Sequence, residues 1–213
     1  MIETALKFAH SGMPVFPVAE NGKAPHPMAS NGVKDATTKT EQVEKWWDRA
    51  PNANVGFATG SIFVIDVDVD EDKNGRVAWK QLCEEEGGAP TTTTVETPSG
   101  GMHLYFRAPE GMTIKNSVSD LAEGVDVRGH GGYVIVPPSS TESGSYSFAI
   151  EEGAAEAPFW LLDAVQKPER DTAEEMPEAL EEAPDKIPKR KRNDRLTSLA
   201  GYVRRTGLGP HEM

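Results

Sequence analysis

Asp66 and Asp68 stand two residues apart inside an otherwise apolar run, Ile62-Phe63-Val64-Ile65-Asp66-Val67-Asp68-Val69. Side chains alternate along a strand, so the two carboxylates share one face while Ile65, Val67 and Val69 share the other. Two like charges side by side repel, and they resist burial unless something compensates them. A pair of divalent cations would do so. Ions roughly 3.5–4 Å apart clamp the attacking and leaving oxygens of an in-line phosphoryl transfer. The structural alternative is a strand that runs out into a solvated acidic loop, since Asp70, Glu71 and Asp72 follow.

A second strand pattern, Met102-His103-Leu104-Tyr105-Phe106-Arg107, follows the turn Thr97-Pro98-Ser99-Gly100-Gly101. It sets His103, Tyr105 and Arg107 on one face and Met102, Leu104 and Phe106 on the other. A Gly-Gly pair lets backbone N–H groups approach a ligand closely, as phosphates require. A third pattern, Gly124-Val125-Asp126-Val127-Arg128-Gly129, places Asp126 and Arg128 opposite Val125 and Val127. Taken singly, the turn reads as a hairpin, His103 as a structural imidazole, and Asp126 with Arg128 as a solvated strand face. Taken together, three strands break their apolar patterning with Asp-x-Asp, His and Asp-x-Arg. Polar residues at core-facing positions usually mark functional sites, and convergence on one sheet face accounts for all three. A calcium loop competes for the acidic run, because Asp70, Asp72, Asn74 and Gly75 match positions one, three, five and six of an EF-hand. Position twelve is Gln81, which supplies no bidentate carboxylate, and the preceding segment is strand-like. A turn at Asn74-Gly75 is the better reading.

These strands need a scaffold to position them. Helices are expected over 2–10, 40–49, 75–86 and 158–166, with Thr40 capping the second and Val43, Trp46 and Trp47 facing inward. Strands are expected over 13–18, 54–58, 62–69, 93–97, 102–107, 124–128, 132–136 and 145–150. No repeat of fixed period occurs. Residues 168–188, rich in Pro, Glu and Ala, read as an acidic linker. Beyond it Leu196, Leu199, Ala200 and Val203 recur at helical spacing, with Asn193 or Asp194 as cap and Gly207 as stop. Residues 189–213 therefore read as the start of a C-terminal helical module, and the sequence as a piece of a longer chain.

Composition bounds the partners. The 213 residues carry 34 acidic and 22 basic side chains, a formal charge of −12, with 37% hydrophobic residues. The charge is uneven: residues 1–167 hold 13 basic and 24 acidic side chains, whereas residues 186–213 hold 8 and 2. Contact with a polyanion must therefore use local basic patches or metal ions. No apolar run approaches the roughly 20 residues of a membrane span. The N-terminus, MIETALKFAHSG, does not read as a secretory signal. A single cysteine, Cys83, excludes an internal disulfide framework and a Cys-rich zinc site, so a reducing, cytoplasmic compartment is expected.

The ordered pieces resemble the archaeo-eukaryotic primase superfamily, specifically the bifunctional primase–polymerase (Prim-Pol) domain of phages and plasmids. The resemblance rests on Gly22-Lys23-Ala24-Pro25, Asp35-Ala36-Thr37, Trp46-Trp47 with Pro51-Asn52-Ala53-Asn54-Val55-Gly56, and the Asp66/Asp68 strand. It continues through Ser99-Gly100-Gly101-Met102-His103 and Val125-Asp126-Val127-Arg128-Gly129 to Pro137-Pro138-Ser139. It implies an α/β (α+β) catalytic domain over 1–167, in which an RRM-like antiparallel sheet packs with an N-terminal α/β subdomain and the nucleotide lies between them. It further implies Asp66, Asp68 and Asp126 as catalytic carboxylates holding two ions of Mg²⁺ or Mn²⁺, without structural zinc. His103 would contact the triphosphate beside Ser99, Gly100 and Gly101, with Arg128 and Lys23 as further phosphate contacts. The family's histidine motif is often Ser-x-His, whereas here Met102 and Gly101 precede His103 and the serine lies further back.

The implied activity is a DNA primase and DNA polymerase, a nucleotidyltransferase using nucleoside triphosphates on a single-stranded DNA template in the cytosol of a bacterial host. A helicase could follow this fragment, since no G-x-x-x-x-G-K-[ST] loop lies within it. Two other functions share some of the features. One is a replication-initiation module that binds DNA without polymerising, through Lys189-Arg190-Lys191-Arg192 with Arg195, Arg204 and Arg205. The other is a metal-dependent nuclease, which needs the carboxylates but no nucleotide pocket.

Overall fold

The structure, a computed structural model, describes residues 1–166. The linker and C-terminal helix expected from the sequence lie outside the described residues. Helices α1 (Ile2–His10), α2 (Thr40–Arg49), α3 (Gly75–Glu86) and α4 (Phe159–Gln166) fall where apolar periodicity puts them. In α2 the buried residues are Val43, Trp46 and Trp47, as the spacing requires. Thr40 does not cap that helix. It is the first helical residue, and the Thr37 hydroxyl instead accepts the Lys39 N–H at 3.1 Å. None of the four helices is long and apolar enough to cross a membrane.

Two sheets dominate. Strands β1 (Val15–Val18), β2 (Asn54–Ala58) and β8 (Tyr133–Val136) form an antiparallel sheet in the order β1-β2-β8. It carries α1 and α2, and its core includes Val15, Phe16, Val43, Trp47 and Val55. The larger sheet comprises β3 (Ile62–Val67), β4 (Thr94–Glu96), β5 (Met102–Arg107), β6 (Ser117–Ala122), β7 (Val125–Arg128) and β11 (Ser147–Ile150). Their order is β11-β4-β5-β3-β7-β6, all antiparallel, and β12 (Ala155–Glu156) joins β5 in parallel. A two-residue hairpin, β9 (Ser140–Thr141) with β10 (Gly144–Ser145), stands apart.

Alternation gives the large sheet two different faces. Phe63, Ile65, Val67, Phe106, Val125 and Val127 pack into one core with Trp79 of α3 and Leu161 and Leu162 of α4. The opposite face turns Val64, Val95 and Tyr105 into the core shared with the smaller sheet. The centre of the large sheet, β3-α3-β4-β5 followed by β7, is the RRM-like part, with helices on one face only. The smaller sheet with α1 and α2 is the N-terminal α/β unit.

The two sheets are joined at adjacent points. Residues 59–61 lead from β2 into β3, and residues 129–132 lead from β7 into β8. Thr59 ties these links together: its N–H donates to the Gly132 carbonyl at 3.0 Å and its hydroxyl to the Gly129 carbonyl at 2.5 Å.

Strand β3 stops at Val67, two residues short of the apolar pattern. The Asp68 N–H donates to the Gly124 carbonyl (2.8 Å), and the Gly75 N–H donates to the Asp68 carbonyl (2.9 Å), so the chain leaves the ladder there. The acidic run then makes a tight turn in which Asp70 Oδ1 accepts the N–H groups of Asp72 and Lys73. The Asn74 side chain caps α3 through the Val77 N–H. A Cβ at Gly75 would meet the Gly124 carbonyl oxygen at 2.3 Å and the Asp68 carbonyl oxygen at 2.6 Å, both backbone atoms that cannot rotate away. Gly75→Ala should therefore cost about 1–3 kcal/mol, the range for overpacking. Urea unfolding checks this, and an unchanged midpoint would contradict it.

Candidate metal and nucleotide site

Strand register assembles the site. Asp66 on β3 is the direct partner of His103 on β5 and of Asp126 on β7, so the three residues form a row across adjacent strands. Asp68 lies just beyond the ladder, on the same side as Asp66. One carboxylate oxygen from each of Asp66, Asp68 and Asp126 lies within 4.8 Å of the others. Asp66 and Asp126 are buried, whereas Asp68 is partly exposed.

Arg128 closes the row. Its Nε donates to Asp66 Oδ2 at 3.0 Å, and its terminal nitrogen reaches Asp126 Oδ2 at 3.0 Å and Asp66 Oδ2 at 2.9 Å. The other Asp126 oxygen accepts the Ser119 N–H at 2.9 Å. His103 Nε2 lies 3.4 Å from Asp66 Oδ1, and its ring packs on Tyr146 with centroids 5.7 Å apart. His103 Nδ1 is buried without a hydrogen-bond partner among the described residues.

Asp66 and Asp68 are electrostatically unequal. Burial pushes the Asp66 pKa upward, but the facing His103 and Arg128 more than offset it and hold the group below the usual carboxylate value. Asp68 is pushed the other way, by burial first and then by the charges of Asp66 and Asp126. Burial, followed by the charges of Asp66 and Asp68, raises the Tyr146 phenol to about 12. Three hard carboxylate oxygens, with no sulfur among the donors, fit Mg²⁺ or Mn²⁺. The repulsion that raises the Asp68 pKa is what a divalent ion would relieve.

The row faces a cleft of about 580 Å³ between the two sheets. Lys23, Tyr133 and Ile135 line the side contributed by the N-terminal unit, while Ser99 and Thr97 line the catalytic-sheet side with the aspartates. Lys23 is exposed, but its backbone is anchored: the Tyr133 hydroxyl donates to the Lys23 carbonyl at 2.9 Å. Buried Asn54 fixes the same loop through Gly22 and grips Ser140 on its other side. Gly100 and Gly101 do not line the cleft; they shape the turn behind it. A Cβ at Gly101 would come within 2.2 Å of the Val67 carbonyl oxygen, so only glycine lets the turn approach β3 here.

Among the cleft residues that the sequence reading missed, Asn116 and Tyr146 support the site. Asn116 accepts the Gly129 N–H at 2.9 Å and donates to the His130 carbonyl at 3.1 Å, bracing the turn after Arg128. Tyr146 backs His103. No local pattern marks either one, because each acts through a partner at least 13 residues away.

Residues 5–160 match the family model for the N-terminal domain of bifunctional DNA primase/polymerase, Prim-Pol. The chain belongs to this family. No curated protein matches it. The Prim-Pol match begins within α1 and ends within α4, so the aspartates, His103, Arg128 and the whole cleft lie inside it. A Prim-Pol domain acts in DNA priming and polymerisation, a metal-dependent chemistry that agrees with this donor set.

The inequality of the aspartates has opposite signs for stability. The Asp66 pKa is depressed, so its charge stabilises the fold above the unfolded carboxylate range, and that contribution is lost as pH falls through the folded value. The Asp68 pKa is raised, so its charge destabilises the fold at neutral pH, and the penalty lifts as pH falls through the raised value. In EDTA at pH 7, Asp68→Asn should raise Tm. Asp66→Asn should lower it, with a loss of stability on the order of 1–3 kcal/mol for a charge-assisted bond lost from a buried site. On acidification the Asp68→Asn gain should vanish first. Calorimetry of the two variants from pH 4 to 7 checks both signs.

Proposed function

We propose that residues 1–166 carry out template-directed nucleotidyl transfer, making primers and extending DNA in a phage- or plasmid-type replication protein. The observation that supports this best is the His103–Asp66–Asp126 row, with Asp68, facing a cleft that also holds Lys23 and Arg128. Asp66, Asp68 and Asp126 would hold Mg²⁺ or Mn²⁺. Bound there, such ions supply Lewis-acid stabilisation of the reacting phosphate and of the attacking oxygen.

The chain's own residues orient the nucleotide. The 3′-hydroxyl of a primer, or of an initiating nucleotide, attacks the α-phosphorus as the bond to pyrophosphate breaks in line. His103 is fixed in the sheet between Asp66 and Tyr146, which suits it to hold a triphosphate oxygen rather than to move freely. Lys23 and Arg128 add positive charge where pyrophosphate charge develops. The hydroxyls of Ser99 and Thr97, 3.1 Å apart, offer donors on the catalytic-sheet side. Gly100 and Gly101 let that turn sit close. Single-stranded DNA and nucleoside triphosphates are the partners in this reading, with a helicase as a partner in a longer chain.

The cleft of about 580 Å³ beside the carboxylates supports a triphosphate substrate over a nuclease, which needs no nucleotide pocket. The carboxylate cluster supports catalysis over a module that only binds DNA, which needs no metal ligands. The test is incubation of the 213-residue chain with single-stranded template, labelled nucleotides and Mn²⁺ or Mg²⁺, with and without primer. Incorporation is expected, with loss in EDTA and recovery on adding metal. Asp66→Ala/Asp68→Ala should reduce incorporation at least about 100-fold, the usual scale for removing electrostatic stabilisation of a transition state. Metal-dependent degradation of the template without incorporation would replace this reading with the nuclease. DNA binding with neither activity would replace it with the initiation module.

A further inference from the structure

A second concave surface lies on the N-terminal unit. It is a groove of about 550 Å³ between α2 and the loop that follows β1, lined by Pro27, Met28, Gln42, Lys45, Trp46 and Arg49. The four α2 residues sit at i, i+3, i+4 and i+7, which makes them one stripe of the helix. Glu41, Glu44 and Asp48 form a different stripe, so α2 segregates its charges: acidic on one flank and basic in the groove. Lys45 and Arg49 are exposed, and neither pairs with a carboxylate among the described residues. In a unit with 24 acidic and 13 basic side chains over residues 1–167, the groove gathers two exposed cations beside Met28 and the largely buried Trp46. The Pro27-Met28 side is held in place, since the Met28 N–H donates to His26 Nδ1 at 3.2 Å.

The groove is also close to the cleft along the chain. Lys23, on the cleft rim, is four residues from Pro27, so their Cα atoms are at most about 14 Å apart.

We propose that this groove binds single-stranded nucleic acid: Lys45 and Arg49 contact phosphates, and Met28 and the edge of Trp46 support a base. A positively charged groove that tracks the backbone is what single-strand binding uses, and it is indifferent to sequence; Trp46, largely buried, offers a base only its exposed edge. The inference rests on the polymerase reading for the identity of the strand, which would be the template, but its test does not depend on catalysis.

The experiment measures binding of a fluorescent single-stranded oligonucleotide by the 213-residue chain in EDTA, at several salt concentrations. Lys45→Glu/Arg49→Glu should weaken binding at least tenfold. Lys45→Gln/Arg49→Gln should lower the magnitude of the salt slope by about 1.4, the loss of two phosphate contacts on a single strand. The control Lys80→Glu/Arg107→Glu makes the same change in net charge on other elements and should stay within twofold of the wild type. Unchanged affinity and slope in the groove variants, or an equal loss in the control, overturns the proposal. Equal displacement of the oligonucleotide by poly-glutamate overturns it in favour of an acidic peptide. Nucleotide incorporation by the wild type, together with an unaffected groove variant, sinks the groove alone. Groove-dependent binding without incorporation sinks the polymerase reading alone.

Discussion

Everything at the site depends on the pairing of β3 with both β5 and β7. A strand side chain changes faces with each residue, so a slip of one position in either pair would send the carboxylates into the core beneath α3 and α4. That core is what prevents the slip. Phe63, Ile65 and Val67 alternate with the polar face and pack against Phe106, Val125, Val127 and Trp79. Burying each such side chain is worth roughly 1.5–3 kcal/mol, and burying an unpaired carboxylate in its place would add a further penalty. The apolar face of the sheet thus fixes the position of the polar one.

Charge completes the arrangement. Asp66 and Asp126 are buried but share the Arg128 guanidinium, and Asp66 also faces His103. Asp68 stands at the mouth of the row with no comparable partner among the described residues, and burial first, then the charges of Asp66 and Asp126, raises its pKa. The cluster is therefore satisfied at its buried end and frustrated at its open end. That gradient favours a cation arriving from the cleft, and it exists within a domain whose overall charge would repel nucleic acid.

Much of this was legible in the sequence because it follows from period. The 3.6-residue stripe gave α2 and α3 to the residue, and the two-residue alternation assigned the faces of β3, β5 and β7. Where the alternation was incomplete, the reading failed. Strand β6 (Ser-Val-Ser-Asp-Leu-Ala) has little apolar pattern; its pairing with β7 is irregular, and Ser119 takes a positive φ of 55° while its N–H holds Asp126. Strands β9, β10 and β12 are two residues each, too short to carry a period. The early end of β3 follows from bonds to Gly124 and Gly75, and the roles of Asn116 and Tyr146 from contacts across the fold. No local pattern encodes a partner that lies so far along the chain.

The paired links at residues 59–61 and 129–132 have a mechanical consequence. Both crossings between the sheets run side by side, clamped by Thr59 and, on the far side, by Asn116. The cleft walls therefore meet at a brace instead of a pivot, and their spacing is set when the chain folds.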